Sequence, residues 1–178
     1  GHPHYRADDA LWLFPTVYKY VAESGNLAFI DEVIPYANRD SGTVYDHLKR
    51  AIAFSMNRLG PHGLPAGLYA DWNDCLRLGE KGESTFVAMQ YFLAMSILRK
   101  FAEYKKDAEY IAFLDKNQAA LDKLLNELCW NEDRFIRGFT QAGETIGKPT
   151  DPEANMWLNP QSWSVISGLA TPEQADTA

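Results

Sequence analysis

Apolar residues return at helical spacing through most of this chain and lose that rhythm in one long interval. Leu11, Phe14, Tyr18 and Val21 fall on one face of a helix predicted over about 9 to 23. Asp8 and Asp9 stand at its front, where the helix macrodipole favours negative charge, and Ser24-Gly25-Asn26 ends it. Pro15 inside that span lacks a backbone donor, so the helix either starts later or kinks. A short helical piece over about 27 to 34 is stopped by Pro35. Thr43 and Asp46 have the spacing of a capping box, and Leu48, Ile52, Met56 and Leu59 line one face of a helix running to about 58.

From Gly60 to Gly82 the period disappears and five glycines and two prolines enter, which predicts a long loop. Leu68, Tyr69 and Trp72 inside it argue for order, and ordered loops of that length are usually functional. Ser84 then caps a helix carrying Val87, Tyr91, Ala94, Leu98 and Phe101 on one face. Its first half, Phe86 to Leu98, is apolar nearly all round, as in a helix buried on most sides. A further helix over about 108 to 129 places Ile111, Leu114, Leu121, Leu125 and Leu128 on its inner face. Phe135 to Phe139 reads as a short extended stretch, the region to Pro152 as loop, and Asn159-Pro160-Gln161 as the entry to a short helix through Leu169. Thr171-Pro172-Glu173-Gln174 combines an N-cap, a Pro at the first helical position and a Gln able to close a capping box. An isolated helical turn is unstable, so the expectation is a polypeptide that ends inside a structure that once continued.

The length of 178 residues suits one domain, and no run of about 18 apolar residues suggests a membrane span. A net charge of -7 excludes a general nucleic-acid binder, which needs clustered cations. Cys75 and Cys129 have neither metal-site spacing nor the look of a disulfide framework, and with no signal peptide they point to the cytoplasm. Aromatic residues make up 13% of the chain; they fill cores, and their flat faces also suit the C–H faces of sugar rings.

Within the loop, Ala70-Asp71-Trp72-Asn73-Asp74-Cys75 sets two carboxylates around an indole and an amide. Asp and Asn commonly satisfy turns with their own side chains. The same residues suit glycosidic cleavage, which needs a carboxylic acid held protonated near neutral pH, and burial beside an indole, away from cations, raises a carboxyl pKa. By composition alone either Asp71 or Asp74 fits that acid.

Gly63-Leu64-Pro65, Ala70 to Asp74, and Gly82-Glu83-Ser84 opening an apolar helix resemble, in order, the catalytic segment of the cellobiose phosphorylase family. That family includes cellodextrin, chitobiose and laminaribiose phosphorylases and the phosphorylase-like domain of cyclic β-1,2-glucan synthases. Asp8-Asp9-Ala10-Leu11-Trp12-Leu13, Gly60-Pro61-His62-Gly63 and Asn159-Pro160-Gln161-Ser162-Trp163 extend the resemblance over essentially the whole chain. It implies an all-α fold, part of an (α/α)6 toroid, with residues 1–178 as a single, truncated helical domain whose flanking β-sandwich and C-terminal barrel half are absent. It implies Asp74 as general acid, Trp72 lining the sugar site, Asp8 binding the sugar that keeps its anomeric carbon, Arg6 as a further sugar contact, and Asp71 as a site residue or a shaper of the loop. Cys75 stands where many relatives carry Gly.

The implied reaction is inverting phosphorolysis of a β-linked disaccharide or oligosaccharide to an α-sugar 1-phosphate, with inorganic phosphate as co-substrate and neither metal nor organic cofactor. Phosphate arrives as an anion, so no second carboxylate is needed to activate water. An inverting hydrolase on the same toroid and a non-catalytic carbohydrate-binding module are the alternatives. His2, His4, His47 and His62 read as surface or loop-packing residues, and the isolated chain is expected to show little or no phosphorylase activity. The apolar surface of a partial toroid favours association, including a homodimer.

Overall fold

The computed structural model describes residues 5–38 and 40–178; His2 and His4 lie outside them. A 3-10 turn, Asp9–Trp12, leads into α1 (Leu13–Ser24). Pro15 therefore sits in the first turn of α1, where its missing N–H has no helical acceptor to lose. Gly25 ends α1 in the left-handed conformation, its N–H bonded to the Val21 carbonyl.

The helical piece expected over 27 to 34 is shorter: a 3-10 turn covers Leu27–Asp31, and β1 (Val33–Pro35) pairs antiparallel with β2 (Ser41–Thr43). A proline is tolerated there because a hairpin edge asks for few ladder donors. Thr43 and Asp46 form the reciprocal capping box that opens α2 (Val44–Met56).

The interval after α2 contains no helix until β3 (Glu83–Ser84) meets α3 (Thr85–Lys105), capped by Ser84. Central to the molecule, α3 packs against α1, α2, α4 and α5. Its buried residues include Phe86, Val87, Met89, Met95 and Leu98, so it is enclosed on several sides, as its apolar sequence requires.

Asp107 caps α4 (Ala108–Leu124), which widens into a π turn at Leu125–Cys129. The wider turn rotates the end of the inner face: Leu128 is 37% exposed, and Cys129 takes the buried position expected of it. Short strands follow. β4 (Trp130–Asn131) pairs with β5 (Arg134–Phe135), while β6 (Gly138–Phe139) lies between β3 and β7 (Thr145–Ile146). The chain closes with α5 (Leu158–Ile166) and α6 (Pro172–Thr177), whose Thr171/Gln174 capping box forms and whose Gln174 Nε2 donates to Asn126 Oδ1 at 2.9 Å. The fold is all-α, with strands confined to its connections.

Candidate active site

Two segments far apart in sequence are laced together by backbone bonds. Tyr69 N–H donates to the Tyr5 carbonyl at 3.1 Å and Ala7 N–H to the Ala70 carbonyl at 2.9 Å. This sets Arg6 and Asp8 beside the loop that carries Asp71, Trp72 and Asp74.

The loop is shaped by its own side chains. Asp71 Oδ1 accepts from Asn73 N–H at 2.9 Å, and Asn73 Oδ1 accepts from Cys75 N–H at 3.1 Å, two successive Asx turns. Asp71 is 3% exposed, and its Oδ2 accepts from Ser84 Oγ at 2.7 Å and Arg137 Nη2 at 2.5 Å. Both oxygens of Asp71 thus have protein donors.

Trp72, within this stretch, is 62% exposed. With Trp12, Phe86, Trp163, Asn159 and Ser162 it borders a cleft of about 220 Å³. Trp163 stands edge-on to Trp12 and to Phe86, with centroids 5.5 and 5.4 Å apart.

The two carboxyls expected to meet a sugar have contrasting environments. The Asp74 side chain is 60% exposed and pairs with Arg6 Nη1. Burial beside an indole, the physical route to a protonated acid, is found at Asp8 instead: it is 4% exposed and accepts from Trp12 Nε1 at 2.8 Å. Burial pushes the Asp8 carboxyl above its ordinary range, with the nearby charges of Asp9 and Asp71 adding and the indole bond opposing.

Beneath the loop lies a second acidic anchor. Glu83 is fully buried, and its Oε1 accepts from His62 N–H at 2.9 Å and Leu64 N–H at 3.1 Å while Oε2 lies 2.5 Å from His62 Nδ1. His62 also lies against the Phe139 ring, centroids 4.4 Å apart. Gly60 is required here, since a Cβ on it would stand 2.2 Å from Glu83 Cγ. Glu83, quoted above only as part of a motif, and Arg137 are the buried charges that hold the loop and to which sequence reasoning gave no role. A charged residue directly before the Ser84 cap of an apolar helix was the available hint for Glu83; no local pattern distinguishes Arg137.

An aromatic cleft thus lies beside a loop bearing an exposed carboxylate, on a scaffold of packed helices. The whole chain, residues 1–178, matches the glycosyl hydrolase 94 superfamily catalytic domain, and the chain belongs to that family. It is 39% identical over 178 residues to an N,N'-diacetylchitobiose phosphorylase of Vibrio furnissii, covering 97% of this chain and 22% of that protein. It is 33% identical over 177 residues to a solabiose phosphorylase of Paenibacillus borealis, covering 97% of this chain and 23% of the relative. The chain therefore spans less than a quarter of these relatives. A rhamnosidase from Klebsiella oxytoca with rhamnose bound superposes with a TM-score of 0.68 at 13% identity, over 97% of this chain and 29% of that one, a likeness of fold alone. The helices are arranged as part of an (α/α)6 toroid.

Proposed function

We propose that this chain supplies the acid loop and part of the sugar site of an inverting glycoside phosphorylase acting on a β-linked disaccharide or short oligosaccharide. The observation that carries the reading is that one short loop bears both Trp72, at the aromatic cleft, and Asp74, beside Arg6. An oxygen of inorganic phosphate attacks the anomeric carbon. The glycosidic C–O bond breaks, its electron pair passes to the leaving oxygen, and Asp74 protonates that oxygen, giving the α-sugar 1-phosphate with inversion.

A guanidinium beside a carboxyl favours its ionised form, which has no proton to give. Arg6 must therefore leave Asp74 when the site is loaded, and a role as a sugar contact gives it a destination. Trp72 stacks on the sugar, and Asp8, bonded to Trp12 at the cleft, serves the unit that keeps its anomeric carbon. Asp71 shapes the loop, since protein donors hold both of its oxygens. We read residues 1–178 as one helical unit of a larger toroid. Two free thiols fit a cytoplasmic location, and Val165 and Ile166, exposed on α5, offer apolar surface for a second copy. Among the described residues no helix is long and apolar enough to cross a membrane.

Calorimetric titration with cellobiose and N,N'-diacetylchitobiose tests the site: Trp72→Ala should abolish binding and Asp74→Asn should retain it. Turnover, wherever it is detected, should require phosphate and vanish with Asp74→Asn. Phosphate-independent cleavage would move the reading to a hydrolase; binding indifferent to Trp72 would remove the site from this loop.

A further inference from the structure

We propose that Arg137 is a positioning residue for the Trp72/Asp74 loop, acting through Asp71 and Ser84. The side chain is 1% exposed, the largest of the fully buried ones among the described residues. Its backbone is fixed from two directions: Arg137 N–H donates to the Ile146 carbonyl at 2.8 Å, and its carbonyl accepts from Thr85 N–H at 3.2 Å. The guanidinium then spans two partners, with Nη1 donating to Ser84 Oγ at 2.9 Å and Nη2 to Asp71 Oδ2 at 2.5 Å. Ser84 Oγ donates in turn to Asp71 Oδ2 and accepts from Val87 N–H at 3.3 Å, the cap of α3. The first turn of α3, the β3/β6 pairing and the acid loop thus converge on one guanidinium.

The surroundings are built to hold it. The Trp157 ring centroid lies 5.7 Å from the guanidinium carbon. At Gly147, whose φ is +89°, an added Cβ would stand 2.8 Å from Arg137 N and 2.9 Å from Trp157 Cδ1, so neither neighbour could keep its place beside a larger residue.

Stability alone does not explain such a pair, because buried ion pairs are often replaceable by apolar residues at no loss. Direction does explain it. The two arms of one rigid guanidinium hold Asp71 Oδ2 at a set distance from Ser84 Oγ, which itself donates to that oxygen. Asp71 has its other oxygen on Asn73 N–H, so fixing the carboxylate fixes the turn that aims Trp72 and Asp74. The consequence for catalysis rests on the phosphorylase reading above; the hold on the loop does not.

The test uses two variants of this chain that leave no buried charge unpaired: Arg137→Lys, and Arg137→Met combined with Asp71→Asn. Amide hydrogen exchange is measured by segment. The expected result is exchange about tenfold or more faster over residues 72–76, the scale set by losing a charge-assisted bond, smaller for the Lys variant, with the α3 core unchanged. Loop exchange that stays at the wild-type rate, or rises only in step with α3, overturns the inference. The same variants are titrated with N,N'-diacetylchitobiose, whose dissociation constant should rise about tenfold with the loosened loop. A loosened loop with unaltered affinity overturns the positioning role. Failure of the wild-type chain to bind any sugar counts against the phosphorylase reading alone, and the exchange measurement still decides the role of Arg137.

Discussion

Replacing Gly60 by alanine probes the anchor beneath the loop without touching any group assigned to chemistry. The new Cβ would lie 2.2 Å from Cγ, 2.6 Å from Cδ and 2.7 Å from Oε1 of Glu83, so all three of its nearest contacts belong to one side chain. That side chain cannot swing away, because it is fully buried and holds the amides of His62 and Leu64 as well as the His62 ring. Overpacking of this kind costs about 1–3 kcal/mol, and at about 2–4 °C per kcal/mol for a chain of this size the midpoint should fall by about 2–12 °C. Glu83→Ala strips the obstacle but leaves two amides without their acceptor, at about 1–3 kcal/mol each. In that background Gly60→Ala should cost almost nothing, so the cycle of four proteins should show a coupling energy of about 1–3 kcal/mol. Urea or thermal unfolding of the four measures it. If Gly60→Ala destabilises both backgrounds equally, the close approach to Glu83 is not why glycine stands there.

Two carboxyls should respond to pH in opposite senses. Asp8 is held above its ordinary range by burial, so its contribution to stability is full below the unfolded value of 3.8 and is lost as pH rises through the folded value. Asp8→Asn should therefore unfold at a higher temperature than wild type at pH 7, the gain shrinking toward pH 3.8, while sugar binding is lost; equal midpoints at pH 7 would refute the burial argument. Asp46 is held below its ordinary range by the Thr43 hydroxyl, so its contribution is present above 3.8 and lost as pH falls through the folded value. Asp46→Ala should lower the unfolding midpoint at pH 7 and by less in strong acid, read from the same unfolding curves. The thiols should also separate: Cys75 is exposed, while burial pushes the Cys129 thiol up to about 12. A thiol reagent at pH 8 should modify Cys75 in the folded protein and Cys129 only after denaturation; fast labelling of both would refute the buried placement.

What could be read from the chain was what repeats locally. The apolar period and the Thr43/Asp46 and Thr171/Gln174 pairs announced α2, α3, α4 and α6, because the forces that start a helix act within one turn. The β1/β2 hairpin escaped because Val33 and Ile34 are exposed and show no alternation of burial. The π turn escaped because its effect is a change of angle at Leu128 and Cys129, invisible to residue type. In the site, the ADWNDC stretch stood out as chemically unusual, but its surroundings did not. Arg137 meets Asp71 across 66 positions, and Glu83 meets His62 across 21, and no local rule joins such partners. The reasoning that placed the acid beside an indole identified a real environment at Asp8 and Trp12, one that Asp74 does not share.

The loop after α2 is unhelical yet moored at several points: at His62 and Leu64 by Glu83, at Tyr69 and Ala70 by Tyr5 and Ala7, at Asp71 by Arg137, and at Leu78 by Gln141 N–H. An engineer seeking a new sugar preference would do best to exchange the exposed Cys75 side chain, between the last two moorings, and to leave Trp72 and Asp74 in place. Added residues upstream of Asp71 would shear several of these ties at once, whereas a new side chain at Cys75 inherits a ready-made frame.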